Sequence, residues 1–150
     1  MLGTLNAAQI DHVLHGEVMG RLGCYTDGRV YIVPVSYVYD GEFVYGHSSD
    51  GLKMQMLRAN PKVCFQVDRV ENLANWRSVI VWGTVQEITG ADAEGALDLF
   101  LDRMTPLITS ETALSPRVSA LGGQSADVTG EHANIYRIKL TERSGRYEKR

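Results

Sequence analysis

The segment His47-Ser48-Ser49-Asp50-Gly51-Leu52-Lys53 gathers an imidazole, two hydroxyls and an ammonium within seven residues. It leaves an apolar, strand-like run and enters a helical one, so the free N–H groups of a helix N-terminus join them. Those are the components of a phosphate site. The same residues also read as a serine-rich cap beside a solvated lysine. The spacing G-x-x-x-x-G-K-[ST] is absent, so nucleoside triphosphate hydrolysis has no basis. At the end of its strand, His47 is placed to bond a ligand or carry a proton near neutral pH. His12 and His15 share a helical face, but with His132 they are scattered and no carboxylate–histidine cluster has ligand spacing, so no metal site is expected.

Pro34 interrupts a run that otherwise reads as a central strand. Proline has no N–H to donate, so the ladder must be open, bulged or at an edge there. An open ladder would let the main chain of Val33, Val35 and Ser36 face a planar polar molecule. Trp76 starts a later strand beside Arg77 and Ser78 and is the candidate for stacking on a ligand ring. No G-x-S-x-G elbow occurs, and neither Cys24 nor Cys64 lies in a setting that lowers a thiol pKa. Chemistry carried by a bound organic cofactor therefore fits better than side-chain covalent catalysis.

The elements that must position these residues follow from periodicity and turn chemistry. Ile10, Val13 and Leu14 share one face of a short helix ended by Gly16. Val18–Thr26, Val30–Tyr39 and Glu42–His47 read as strands, separated by Asp27-Gly28 and Asp40-Gly41, whose positive φ preference suits two-residue hairpins. An antiparallel three-strand meander is expected. A helix over 51–59 places Leu52, Met56 and Leu57 on one side, with Asp50 as N-cap and Asn60-Pro61 as the stop. Strands Lys62–Asp68 and Trp76–Glu87, the second bending at Gly83, flank a polar connection. A helix over 91–104 ends before Pro106, the stretch 107–130 reads as a loop or lid, and Asn134–Thr141 is a last strand. Six strands joined mainly by hairpins, with short helices, predict a mainly β protein built on a small antiparallel barrel. No G-x-G-x-x-G follows a strand, so a dinucleotide-binding βαβ unit has no support.

Composition sets the outer bounds. A chain of 150 residues without an internal linker is one domain, residues 1–150. Fifteen Lys+Arg against 18 Asp+Glu give a formal charge of −3, which supplies no basic field for a nucleic-acid backbone or an anionic membrane. The uncharged run Val30–Tyr39 is too short to span a bilayer. Arg21 is the first basic residue, after Asp11 and Glu17, so a secretory n-region is missing and a cytoplasmic location is expected. Both cysteines are read as reduced core thiols.

Taken together, Val33-Pro34-Val35-Ser36-Tyr37, Asp40-Gly41, Tyr45-Gly46-His47-Ser48, Gly51-x-Lys53, Leu57-Arg58-x-Asn60-Pro61-x-Val63 and Trp76-x-Ser78-Val79-x-x-x-Gly83 resemble the pyridoxamine 5′-phosphate oxidase-like flavoproteins, in their flavin-nucleotide-binding, nitroimidazole-resistance-type branch. The resemblance implies a six-stranded split β-barrel of the FMN-binding type, a homodimer with FMN at the subunit interface. It implies that Val33, Pro34, Val35 and Ser36 border the flavin ring, that His47, Ser48 and Ser49 form the ligand-facing end of the next strand, and that Lys53 meets the 5′-phosphate. Trp76 and Ser78 would reach the cofactor, in many members from the partner subunit. The implied activity is NAD(P)H-dependent electron transfer through FMN to a small acceptor, with His47 and Trp76 on the substrate side. Non-catalytic flavin or haem binding on the same barrel, and a deazaflavin in the groove, are the alternatives. Lys53 lacks the adjacent arginine of the vitamin-B6 oxidases, and the chain ends Arg146-Tyr147-Glu148-Lys149-Arg150 without their substrate-binding signature, which argues against pyridoxamine phosphate oxidation.

Overall fold

A computed structural model of the chain describes residues 1–107 and 133–150. The elements are β1 (Leu2–Thr4), α1 (Ala7–Gly16), β2 (Met19–Thr26), β3 (Arg29–Ser36), β4 (Val38–Tyr39), β5 (Phe43–Ser49), α2 (Leu52–Ala59), β6 (Lys62–Asn72), β7 (Asn75–Ile88), α3 (Gly90–Met104), a 3₁₀ turn (Thr105–Leu107) and β8 (Ala133–Glu148). The sequence-read loop over 107–130 lies, beyond Leu107, outside the described residues. Among the described residues no helix is long and apolar enough to cross a membrane.

All pairings are antiparallel, in the order β3-β2-β6-β7-β8-β5-β4, with β1 on β8. This is the mainly β barrel architecture that the sequence predicts, with eight strands among the described residues in place of six. The additions are β1 and β4, and β8 runs on to Glu148, seven residues past the expected end at Thr141. Residues 142–148 are too polar to signal a strand, yet they pair along β7 from Trp82 to Trp76.

Both Asp-Gly turns form hairpins, and Asp27 and Gly28 take the positive φ values 52° and 76° of a type I′ turn. The expected three-strand meander, however, does not form. β3 pairs with β2 alone and β4 with β5 alone, so β3 and β4 are the two ends of the hydrogen-bonded order. The cause is Tyr37, the one residue between them. Its N–H donates to the Val18 carbonyl (3.0 Å), its side chain is fully buried, and its hydroxyl donates to the Leu14 carbonyl (2.7 Å). Burying that ring against Phe65, 5.0 Å away and edge-on, is worth about 1.5–3 kcal/mol and turns the chain out of the ladder. Because two edge strands are joined by one residue, the sheet curls until its ends meet without pairing. The barrel thus has a seam, with Pro34 on its edge.

The barrel interior is lined by rows such as Val33, Leu22, Phe65 and Val81, in register across four strands. A second cluster, including Tyr45, Ile88, Phe100 and Ile135, packs α3 on the other face of β5. Near Gly83 the β7–β8 register shifts past Thr141, whose hydroxyl donates to the Trp82 carbonyl (3.1 Å). A side chain at Gly83 would strike the Lys139 carbonyl, so the glycine permits this close approach and the bend.

Strand pleat corrects one cysteine. Cys24 is buried as expected, but Cys64 is exposed, directly opposite Gly23 on the outer face; both thiols are free. In α2 the buried side chains are Met54, Met56 and Leu57, with Leu52 exposed.

Candidate functional site

Two strands on either side of the seam deliver the first pair of expected residues. Pleating sends Val33 and Val35 toward the barrel and Pro34 and Ser36 outward, so the valines contribute wall and main chain to the edge. Ser36 Oγ lies 3.4 Å from His47 Nε2, across from β5. The His47 ring in turn stands edge-on to Phe100 of α3, 5.2 Å between centroids. The imidazole is thereby held between a hydroxyl and a buried aromatic, at the seam.

At the end of β5 the chain passes Ser48 and Ser49 into α2. The N-cap is Gly51, not Asp50, and no side chain caps the helix, so its first-turn N–H groups stay open to an acceptor. Asp50 is drawn instead into a clasp that sequence spacing could not reveal. Its Oδ1 accepts from Arg58 Nη1 (3.3 Å) and Asn134 Nδ2 (2.8 Å), while Arg58 Nε donates to Glu87 Oε1 (2.7 Å). The clasp ties the β5–α2 loop to β7 and β8. Ser48 Oγ donates to the Ser49 carbonyl (2.8 Å).

Lys53 is the unusual member. It is half-buried, and its Nζ lies 5.8 Å from the centroid of the Tyr136 ring. Burial pulls its pKa below the usual lysine value, with Cys24 opposing weakly. No carboxylate lies within ion-pair distance of it among the described residues. Beneath it, Tyr136 Oη is buried without a hydrogen-bond partner among the described residues, and burial drives that phenol's pKa well up. The ring is admitted by Gly46, where a Cβ would come within 2.5 Å of Tyr136 Cζ and Oη. Cys24, also pushed up by burial, completes the group. Sequence reading missed Tyr136 and Cys24 here; a glycine inside an apolar strand was the one available signal.

Trp76 and Ser78 do not join these residues within the chain. Ser78 Oγ accepts from Gln66 Nε2 (3.0 Å) on the outer face. Trp76 pairs in register with Glu148, at the end of β8 remote from Asn134, and lines a cavity of about 460 Å³ between α1 and the β6–β7 hairpin. Among the described residues no three His, Cys, Asp or Glu side chains are grouped as metal ligands.

The chain's relationships accord with this geometry. The sequence model for pyridoxamine 5′-phosphate oxidase matches residues 6–147. The chain belongs to that family. An uncharacterized protein of Rhizobium meliloti, RA0666, is 30% identical over 131 residues, covering 85% of this chain and 83% of that one. Among solved structures, a FAD-binding protein of Mesorhizobium loti is similar with 28% identity and a TM-score of 0.72, over 98% of each chain. A candidate 5-nitroimidazole antibiotic resistance protein of Bacteroides thetaiotaomicron shares the fold, with 19% identity and a TM-score of 0.68 over 98% of this chain and 89% of that one.

Proposed function

We propose that this family member is a flavoprotein that binds FMN and acts as an oxidoreductase, taking electrons from NAD(P)H and passing them to a small acceptor. The observation that carries the cofactor reading is the half-buried Lys53 ammonium with no carboxylate among the described residues. A desolvated cation is costly until an anion joins it. Ser48, Ser49 and the uncapped first turn of α2 place further donors at the same junction, and a phosphate is the anion that such a donor set fits. The residues present therefore suit the phosphate end of a flavin nucleotide.

The seam supplies the rest. Ser36 and His47 offer polar groups beside the open main-chain edge of β3, which suits a planar ring rich in donors and acceptors. Bound there, a flavin supplies hydride and single-electron chemistry. The chain's own residues hold the phosphate, orient the ring edge and keep His47 fixed against Ser36 and Phe100. The Mesorhizobium loti neighbour, by its name a FAD-binding protein, supports a flavin and makes FAD the form to be distinguished from FMN.

The partner in this reading is a second copy of the chain. The outer face of β3-β2-β6-β7 exposes Val30 (69%), Ile32 (66%), Tyr25 (52%) and Trp82 (37%) in neighbouring register. An apolar sheet face of that kind needs a cover. A homodimer through it would carry Trp76 and Ser78 of one copy toward the seam of the other. A cytoplasmic setting accords with two free thiols.

The visible absorption spectrum of freshly purified protein tests the cofactor class, and mass spectrometry of the released compound separates FMN from FAD and from a deazaflavin. A colourless protein that takes up no flavin overturns the reading. Rapid bleaching by NAD(P)H with turnover of an acceptor supports the enzyme; slow reduction without turnover identifies a binding protein on the same barrel.

A further inference from the structure

We propose that Arg58 and Asn134 hold the Asp50 carboxylate away from the N-terminus of α2, and that Asp50, once released, caps this helix in competition with the anion bound there. Arg58 and Asn134 are then positioning residues for the Lys53 junction, and Asp50 is an internal competitor. The inference rests on the flavin reading for the identity of the anion alone.

The argument starts from residue order. In Ser49-Asp50-Gly51-Leu52-Lys53 the aspartate lies one residue before the N-cap, Gly51, which has no side chain to offer. A carboxylate at that point is a strong acceptor for the N–H groups two and three residues on, those of Leu52 and Lys53, and the helix dipole favours it. Yet α2 has no side-chain cap. Asp50 Oδ1 accepts instead from Asn134 Nδ2 (2.8 Å) and Arg58 Nη1 (3.3 Å), and Arg58 Nη2 closes the ring by donating to Asn134 Oδ1 (3.2 Å). The ring is anchored on both sides. Asn134 is opposite Ser48 in the β5–β8 ladder, and Arg58 Nε donates to Glu87 Oε1 (2.7 Å) on β7.

Stability does not account for this ring. The side chains of Asp50, Arg58 and Glu87 are 75%, 46% and 42% exposed, and ion pairs so open to water contribute little. The geometric effect is larger. Asp50 precedes the first turn of α2 and Arg58 lies in its last, so the clasp closes only when the helix is formed and seated on β7 and β8. Once released, the carboxylate would take the N–H groups assigned above to the phosphate and bring a negative charge beside Lys53. A side-chain cap is strong enough to reduce the open helix end, and with it the apparent affinity for an anion, by about 2- to 30-fold.

The variant Arg58→Gln/Asn134→Ala opens the clasp, and Asp50→Ala or Asp50→Asn is then added to it. Fluorescence titration of FMN onto the flavin-free protein should show binding weakened by about 3- to 30-fold in the opened variant and returned to within about twofold of the parent by Asp50→Ala. Asp50→Asn removes the charge but still caps, so it should leave most of the loss in place. In the absence of flavin, NMR hydrogen exchange at the Leu52 and Lys53 amides should be slower in the opened variant than in the parent, and Asp50→Ala should abolish the slowing. That arm needs no cofactor: a protein that binds no FMN defeats the flavin reading, and exchange still decides the fate of Asp50. The altered side chains are at least partly exposed and folding is expected throughout; should the opened variant fail to fold, Asn134→Ala alone, which changes no charge, carries both arms. The proposal is overturned by unslowed exchange in the opened variant, by a loss of FMN affinity that Asp50→Ala does not reverse, or by equal rescue from Asp50→Asn, which would assign the effect to charge and not to capping.

Discussion

Lys53→Met separates the anion reading from a merely structural lysine, because it moves two quantities in opposite directions. An ammonium–phosphate contact is a charge-assisted hydrogen bond worth about 1.5–3 kcal/mol, so removing it weakens FMN binding by about 10- to 150-fold. The flavin-free protein responds the other way. Lys53 is half-buried with its stem against Tyr136 and its pKa lowered by burial, so the charged form is disfavoured in the folded state. Methionine keeps the apolar volume and removes the cation; the variant is expected to be more stable than the parent at neutral pH. The pH dependence has a definite sign. A lysine whose folded pKa is lowered costs stability wherever both states are protonated, and that cost disappears as pH rises from the folded pKa toward the unfolded value near 10.4. The stability advantage of Lys53→Met should therefore be largest near neutrality and narrow on the alkaline side. Saturating FMN should abolish it, since bound ligand at about 100 times Kd stabilises the parent by about 2.7 kcal/mol. Thermal denaturation from neutral to alkaline pH, with and without FMN, together with a flavin titration, measures all three. A change in Kd below about threefold, or a flavin-free variant less stable than the parent at neutral pH, refutes the reasoning.

Other perturbations test separate links. Trp82→Arg puts a charge in the exposed apolar face and should convert the protein to monomers at micromolar concentration, read by analytical ultracentrifugation; an unaltered dimer would move the interface elsewhere. Gly46→Ala drives a methyl to within 2.5 Å of the Tyr136 hydroxyl end and should cost about 1–3 kcal/mol in urea denaturation. Tyr136→Phe deletes a buried hydroxyl that has no partner among the described residues and should raise stability by about 1–3 kcal/mol, seen as a higher urea midpoint at unchanged m-value; a fall would mean the hydroxyl is bonded in solution.

The parts of this fold legible in sequence are those fixed locally. Asp27-Gly28 and Asp40-Gly41 announce their hairpins, with Asp27, Gly28 and Gly41 at positive φ, and the spacing of Ile10, Val13 and Leu14 announces α1. What was not legible depends on partners distant in sequence. The register that makes 142–148 a strand comes from β7, and the break at Tyr37 comes from burial against Phe65 and a bond to Leu14. The site divides in the same way. Ser48, Ser49 and Lys53 meet because they are neighbours in sequence. The direction of the Lys53 side chain, its Tyr136 floor and the Asp50 clasp all depend on β8, whose approach no local pattern encodes. Trp76 is legible as an aromatic at a strand start, but its partners in register, Val70 and Glu148, come from β6 and β8.

One chain event links the fold to its proposed use. Tyr37 joins the two ends of the sheet order, so the barrel is closed by covalent chain and left without a ladder between β3 and β5. A gap in a ladder leaves backbone groups whose hydrogen bonds must be found elsewhere, and water or a polar ligand is the remaining source. The same β5 that borders the gap runs directly into the junction holding Lys53, a cation that has no counter-charge among the described residues. Two separate deficits, one of backbone partners and one of negative charge, thus lie along a single strand. A molecule with a planar polar ring and an anionic tail would answer both at once. Simple phosphate would answer only the second, so it should stabilise the flavin-free protein less than FMN does at equal saturation.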